Sequence, residues 1–186
     1  FNAKEQKDKV VQWIRDWFDK NGKDCNAVIG ISGGKDSTVA AALCVEALGK
    51  DRVIGLMIPD GEQKDINDSY AVCSLLGIKN HVINIRQIIR SVQLSFAFSD
   101  INNISDQAKI NLPPRIRMAI LYYLSQSVNG RVVNTCNLSE DYVGYATKYG
   151  DAAGDFAPLK SFTTEEVIAI GKELGKVPYT AISLLV

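Results

Sequence analysis

Apolar positions along the chain alternate between helical and strand-like spacing. From Ala3 to Lys20, Val10, Val11, Ile14, Trp17 and Phe18 recur every three to four residues, polar residues fill the other face, and Asn21-Gly22 ends the pattern. This predicts an amphipathic helix packed on a sheet, with a contact between two copies as the alternative use of its face. Ala27-Val28-Ile29-Gly30 is a short continuous apolar run, the mark of a buried strand. Thr38 to Leu48 is Ala-rich and helical and stops at Gly49, and Arg52 to Ile58 predicts a second buried strand ended by Pro59-Asp60-Gly61. Asp65 to Leu76 predicts a helix closed by Gly77, His81 to Ile85 a third strand, and Arg86 to Leu94 another helix.

Beyond that the pattern loosens. Phe96 to Gln107 is polar and without period, and is expected to be a mobile loop near a site that orders with ligand. Asn111-Leu112-Pro113-Pro114 reads as a stop, after which the prolines open a helix over Arg115 to Ser127, ended by Asn129-Gly130. Arg131 to Asn134 predicts a short fourth strand, and Thr135 to Gly154 is polar and punctuated by glycine. Thr163-Thr164-Glu165-Glu166 opens a last helix with a capping box, closing at Gly175. Strands alternating with helices through right-handed crossovers predict an α/β fold, an open parallel sheet with helices on both faces, Rossmann-like.

The 186 residues suit one domain over 1–186, without repeats or low-complexity segments. Lysine plus arginine balances aspartate plus glutamate at 21 each, so no nucleic-acid partner is expected from charge; a small-molecule enzyme fits better. No apolar run nears the roughly 18 residues of a membrane span, and the start, with Lys4, Lys7 and Lys9, lacks the apolar stretch of a signal peptide. No membrane is expected as a partner. Cys25, Cys44, Cys73 and Cys136 form no C-x-x-C pair and are expected as reduced, buried thiols, which points to a cytoplasmic protein. The start at Phe1 suggests that the natural N-terminus lies elsewhere. His81 is the lone histidine, expected in the core or at a strand end, and no His/Cys cluster suggests zinc. Cys136 is expected to be passive, and Trp13 and Trp17 to pack.

Chemistry concentrates where the first strand ends. Ile29-Gly30-Ile31-Ser32-Gly33-Gly34-Lys35-Asp36-Ser37 joins a buried strand, two adjacent glycines and a helix start. Glycines let several N–H groups converge on one oxyanion, and the helix dipole adds partial positive charge, so phosphate or pyrophosphate is the natural guest. Walker A spacing would need Gly at 29 and Ser or Thr at 36, where Ile29 and Asp36 stand, and G-x-G-x-x-G is absent too. In an open α/β sheet the ligand lies where strand order reverses, so the loops after the first and fourth strands should meet there. The second of these carries Thr135, Glu140, Lys148, Asp151 and Asp155. Asp36 and Glu140 are hard oxygen donors suited to one shared Mg²⁺ on phosphate oxygens, although either carboxylate could instead cap a helix or face solvent.

The loop resembles the S-G-G-x-D-S segment of the N-type ATP pyrophosphatases, which adenylate a substrate and release pyrophosphate. Gly30-Ile31-Ser32-Gly33-Gly34-Lys35-Asp36-Ser37, then Asn111-x-x-x-Arg115-x-Arg117-Met118, Thr135 and Glu140, and Thr147-Lys148-Tyr149-Gly150-Asp151 are in order similar to the ammonia-dependent NAD synthetases, from about Val10 to Gly175. The glycine loop alone would also suit GMP synthetases, asparagine synthetases and tRNA-thiolating enzymes; T-K-Y-G-D discriminates better. The resemblance implies an ATP-pyrophosphatase-type sheet and a ligase that joins ammonia to deamido-NAD through an acyl-adenylate, giving NAD, AMP and pyrophosphate. It assigns Gly30, Ile31, Ser32, Gly33, Gly34, Lys35, Asp36, Ser37 and Thr135 to ATP, Asp36 and Glu140 to Mg²⁺, and Arg115, Lys148 and Asp155 to deamido-NAD. Asp151 would lie near the carboxylate being amidated, so Asp36, Lys148 and Asp151 become the catalytic candidates. A homodimer is implied as well. The alternatives are another member of the superfamily, or a protein that binds nucleotide without turnover.

Two departures from the family pattern stand out. Its phosphate-binding Lys commonly lies six residues after the Pro of a P-L pair; from Pro158 that position is Thr164, so Lys160 or a residue elsewhere would have to substitute. The family's nucleotide-contacting Pro-Thr/Ser segment and basic tail are not recognisable after Val177-Pro178-Tyr179, so the chain is expected to be incomplete at its C-terminus, without a lid.

Overall fold

The structure, a computed structural model, describes residues 1–99, 101 and 103–175. It opens on α1 (Ala3–Asn21), where Asn2 accepts the Glu5 N–H at 3.1 Å and the Gly22 N–H closes the last turn on the Phe18 carbonyl. Then follow β1 (Asn26–Gly30), α2 (Lys35–Leu48), a 3₁₀ turn over Lys50–Arg52, β2 (Val53–Met57) and α3 (Ile66–Leu76). β3 (Lys79–Val82), α4 (Arg86–Ala97), α5 (Asp106–Ser127), β4 (Gly130–Val132), α6 (Leu138–Val143) and α7 (Thr164–Glu173) complete it.

All pairings are parallel and the strand order is β3-β2-β1-β4, so the order reverses at β1. Side chains of β1 alternate between two cores, as strand geometry requires. Ala27 and Ile29 join Val10, Ile14 and Phe18 of α1, Val39 and Leu43 of α2 and Val167 and Ile170 of α7. Val28 faces the other way, onto Leu56, Ile89 of α4, Met118 and Leu121 of α5 and Val132. Helices thus cover both faces, and α1 spends its apolar stripe inside the molecule, chiefly against α2 and α7 in the core they share with β1, rather than directly on the sheet as the sequence predicts. Trp17 stacks on Phe156 at 4.8 Å and Trp13 tilts onto the same ring, so both tryptophans pack, as expected. The four cysteines are free and buried; burial pushes the Cys44 thiol up to about 12 and the Cys73 thiol to about 11.

Four further expectations need correction. The third strand lies at Lys79–Val82 rather than 81–85, because it is an edge strand, exposed along its length; its apolar neighbour Ile85 is the buried residue that starts α4. The fourth strand is shorter than 131–134: Val133 pairs instead with Phe156, and the Asn134 N–H donates to the Phe156 carbonyl. The Pro113-Pro114 pair does not stop a helix. α5 runs through it from a cap at Ser105, whose hydroxyl accepts the Ala108 N–H at 3.2 Å, and the carbonyls deprived of a partner one turn back belong to the exposed residues Lys109 and Ile110, where water can serve them. The loop assigned to 96–107 is correspondingly shorter, since α4 takes Phe96 and Ala97 and α5 takes Asp106 and Gln107. Residues 100 and 102 within it, and the 177–179 segment, lie outside the described residues.

Candidate functional site

A cavity of about 580 Å³ opens at the carboxyl edge of the sheet, at the reversal beside β1. Its floor is Gly30, Ile31 and Ser32 at the end of β1, Leu56 and Ile58 of the β2 end, and Val133 to Thr135 after β4. Met118, Leu121 and Arg117 of α5 form the roof.

The glycine loop is knitted by its own side chains. Ser37 Oγ accepts the Ser32 N–H at 3.3 Å and donates to the Gly34 carbonyl at 3.1 Å, Ser32 Oγ accepts the Gly34 N–H at 3.2 Å, and Thr38 Oγ1 donates to the same carbonyl at 2.7 Å. Gly33 adopts φ +84°, and a Cβ there would sit 3.2 Å from the Ser69 backbone nitrogen of α3. The glycine is therefore needed for its backbone angle and for the seat of α3 as much as for access to a ligand.

Asp36 lies in the first turn of α2, and its two carboxylate oxygens accept from Asn137 Nδ2 at 3.0 Å and Lys35 Nζ at 2.9 Å. Asn137 is the cap of α6, in a capping box in which its side chain accepts the Glu140 N–H while Glu140 Oε2 accepts its own N–H, both at 3.1 Å. Asn137, which no sequence motif singled out, therefore bridges the two carboxylates proposed for Mg²⁺. Burial raises the Glu140 pKa above the ordinary carboxylate value; the charges of Asp36 and Asp151 raise it too, while the Asn137 N–H and Lys35 oppose. Negative charge is thus crowded where the glycine loop meets α6.

The T-K-Y-G-D turn docks on the proline segment of α5. Thr147 Oγ1 donates to Asn111 Oδ1 at 3.1 Å, Arg115 Nε donates to the Lys148 carbonyl at 3.1 Å, and Gly150 lies against Pro114. Asp151 Oδ1 accepts the Thr147 N–H at 2.8 Å, and the residue reaches the cavity wall.

Of the residues expected at the site, Gly30, Ile31, Ser32, Ser37, Thr135 and Asp151 line the cavity. Gly33, Gly34, Lys35, Asp36 and Glu140 do not line it; Gly33 to Asp36 lie between the lining residues Ser32 and Ser37, and Glu140 is joined to Asp36 through Asn137. Arg115 and Lys148 lie outside it, exposed on and beside the turn, with Lys148 Nζ 4.9 Å from the centre of the Tyr149 ring. Asp155 is not brought to the wall: its carboxylate accepts the Val132 N–H at 2.6 Å and the Tyr122 hydroxyl at 3.3 Å, tying the chain to β4 and α5. Thr164 is the first residue of α7, and Lys160 stands exposed with its ammonium 3.8 Å from Asp141. Neither lines the cavity.

One wall was missed. Asp60, Glu62, Gln63 and Asp65, from the loop after β2, face Gly30 and Ser32, and Arg117 Nε donates to the Ile58 carbonyl at 2.9 Å beside them. Burial lowers the Arg117 pKa and the charges of Asp60 and Asp151 oppose that shift, so this arginine stands between two carboxylates of the wall. A signal was present: Pro59-Asp60-Gly61 with two further acids follows the strand next to β1, at the same edge of the sheet.

A family model described as NAD synthase matches residues 6–183. The NH(3)-dependent NAD(+) synthetase of Pyrococcus furiosus is 38% identical over 168 residues, covering 90% of this chain and 63% of that protein. That of Methanocaldococcus jannaschii is 38% identical over 176 residues, covering 92% of this chain and 68% of that protein. The chain thus spans somewhat under two thirds of the P. furiosus relative's length. Among solved structures, an NMN synthetase from Francisella tularensis superposes with a TM-score of 0.89 at 32% identity, covering 98% of this chain and 74% of that one. An NH3-dependent NAD synthetase from Campylobacter jejuni follows at 0.87 and 31%, covering 98% and 77%. Glycine loop, α6 box and T-K-Y-G-D turn meet at the reversal of a 3-2-1-4 sheet shared with these enzymes, and the chain belongs to the NAD synthase family.

Proposed function

We propose that the protein containing this chain is a ligase that forms a C–N bond, amidating deamido-NAD with ammonia at the expense of ATP and releasing NAD, AMP and pyrophosphate. The observation that carries this is one cavity lined by Ser32 and Ser37 of the glycine loop and by Asp151, with that loop tied to Asn137 and Glu140 through Asp36. ATP takes the cavity with its phosphates on the N–H groups of Gly33 and of Lys35 to Ser37, the Gly34 N–H being held by Ser32 Oγ, and Gly30, Ile31 and Thr135 line its path. The substrate carboxylate attacks the α-phosphorus, the bond to pyrophosphate breaks, and the preorganised N–H groups meet the charge that builds on the leaving group. Ammonia then adds to the acyl carbon and AMP departs. Asp151 takes the proton that makes ammonium unreactive, a role supported by its position among the cavity-lining residues. Arg115 and Lys148 offer positive charge to the dinucleotide, and Asp155 serves as scaffold, joining its segment to Val132 of β4 and Tyr122 of α5.

Mg²⁺ fits the donor set. Two hard carboxylates, Asp36 and Glu140, are linked through Asn137, and the negative charge of Asp36 and Asp151 around Glu140 adds to burial in raising its pKa. When bound between Asp36 and Glu140, the ion would neutralise charge on the phosphates. A second copy is proposed as partner; Leu94 and Phe98, exposed at the end of α4, support an open apolar contact there, whereas α1, with its stripe buried, does not. Four free buried thiols support the cytoplasm as its compartment.

The assay is incubation of the natural protein with ATP, Mg²⁺, ammonium and deamido-NAD. Joint appearance of NAD, AMP and pyrophosphate is expected; nucleotide binding without AMP would overturn the ligase reading in favour of a sensor. The likeness to the F. tularensis NMN synthetase supports a second reading, amidation of the mononucleotide. Supplying both acids in one reaction and comparing the kcat/KM values of the two amide products decides between them.

A further inference from the structure

We propose that Asn84 and Arg86 are positioning residues that hold the 59–65 loop as a preset wall of the nucleotide cavity. This deepens the function proposed above and rests on it. The loop leaves β2 and presents Asp60, Glu62, Gln63 and Asp65 to the cavity, opposite the glycine loop. Its grip at Asp60 and Gly61 comes from the segment between β3 and α4. The Asn84 amide pairs reciprocally with Gly61: Nδ2 donates to the Gly61 carbonyl at 2.8 Å and Oδ1 accepts the Gly61 N–H at 3.0 Å, as a neighbouring strand would. Arg86 adds a fork, with Nε donating to Asp60 Oδ1 at 2.6 Å and Nη2 to the Asp60 carbonyl at 2.7 Å. Asn84 Oδ1 also accepts the Arg86 N–H at 3.0 Å, which locks the two clamping side chains together.

Gly61 completes the device. It adopts φ +82°, and the space a Cβ would fill is taken by the Arg86 guanidinium, so loop and clamp are fitted face to face. Neither Asn84 nor Arg86 lines the cavity. With the Arg86 side chain 46% exposed, its ion pair to Asp60 contributes little to global stability. What the four bonds to two consecutive residues supply is geometry: they remove the ordering cost that a free loop would impose on each binding event.

The test compares Asn84→Ala, Arg86→Ala and Arg86→Lys with the wild-type chain by hydrogen exchange without ligand, by calorimetric titration with MgATP and by steady-state kinetics. Faster exchange confined to residues 59–65, with β1 and α2 protected as in wild type, is expected for both alanine variants. Their ATP affinity is expected to fall about tenfold and KM for ATP to rise in parallel, with kcat within about threefold. Arg86→Lys should recover part of the loss, since one ammonium can reach the Asp60 carboxylate but cannot make the fork. Wild-type exchange and affinity in both alanine variants, or a fall in kcat at constant KM, would overturn the proposal. A wild-type chain that binds no ATP overturns the nucleotide assignment and this proposal with it, whereas wild-type binding with unaffected variants overturns this proposal alone.

Discussion

The walls on either side of β1 are built by opposite means. Toward β4, the glycine loop and the α6 box are each knitted by local bonds and joined by one long-range bond from Asn137 to Asp36: Ser32, Ser37 and Thr38 bond the Gly34 backbone from within four positions of it, and Asn137 and Glu140 close a box over four residues. Toward β2, the 59–65 loop is shaped by Asn84 and Arg86, more than twenty residues further on. Local construction suits a cradle that must hold one shape around phosphate; remote construction makes the other wall dependent on how β3 leads into α4. Damage to the first wall should therefore be larger and harder to rescue.

The largest effect is expected at Gly33. A side chain there meets both φ +84° and the α3 backbone, so Gly33→Val should remove ATP binding and also loosen α3. Gly34 is the control: its φ of −77° is ordinary, and a Cβ would meet only Ser32 Oγ, at 3.4 Å. Gly34→Ala should fold with stability within about 0.5 kcal/mol of wild type. Calorimetry with ATP and urea unfolding of both variants checks the contrast, and full ATP affinity in a folded Gly33→Val would break it.

Next in size is the carboxylate pair. If Asp36 and Glu140 share an ion, Asp36→Asn or Glu140→Gln should each cost on the order of 100-fold in kcat/KM, and the double variant should resemble the worse single one. EDTA should bring wild type to the same floor while leaving both single variants little changed. Additive losses in the cycle would show that the groups act separately and would reduce Asn137 to a helix cap.

The contrast between the walls also explains what could be read in the sequence. Strand periods at 27–30 and 52–58 and the helix stops at Gly49, Gly77 and Gly175 carried over because each is a local signal, satisfied by neighbouring residues. The glycine loop was legible for the same reason, whereas the T-K-Y-G-D turn stood out only through the family resemblance, its partners Asn111 and Arg115 lying more than thirty positions away. Pro113-Pro114 misled because a proline's cost depends on whether the carbonyl one turn earlier can reach water, which is set by where α5 lies in the fold. Asn137 was hidden because its importance is the bond to Asp36, 101 positions away. The acidic wall was missed because its residues gain meaning only once β2 is known to lie beside β1.

Asp155 gives the smallest effect and separates scaffold from site. The resemblance assigns it to the substrate, but its oxygens hold the Val132 N–H at 2.6 Å and the Tyr122 hydroxyl at 3.3 Å, and its own N–H donates to the Val132 carbonyl. The carboxylate also raises the Tyr122 pKa, after burial the next cause of that shift, which agrees with close contact between the two groups. Asp155→Ala leaves the N–H of the buried Val132 without its partner, at an expected cost of about 1 kcal/mol in unfolding free energy. Because the turn from Thr147 to Asp151 is also held by Asn111 and Arg115, the cavity should keep its shape, with KM for the dinucleotide within about twofold of wild type. Urea denaturation and steady-state kinetics on the same preparation decide the matter. Lower stability with unchanged KM makes Asp155 a scaffold residue, while a tenfold rise in KM at wild-type stability would return it to the substrate.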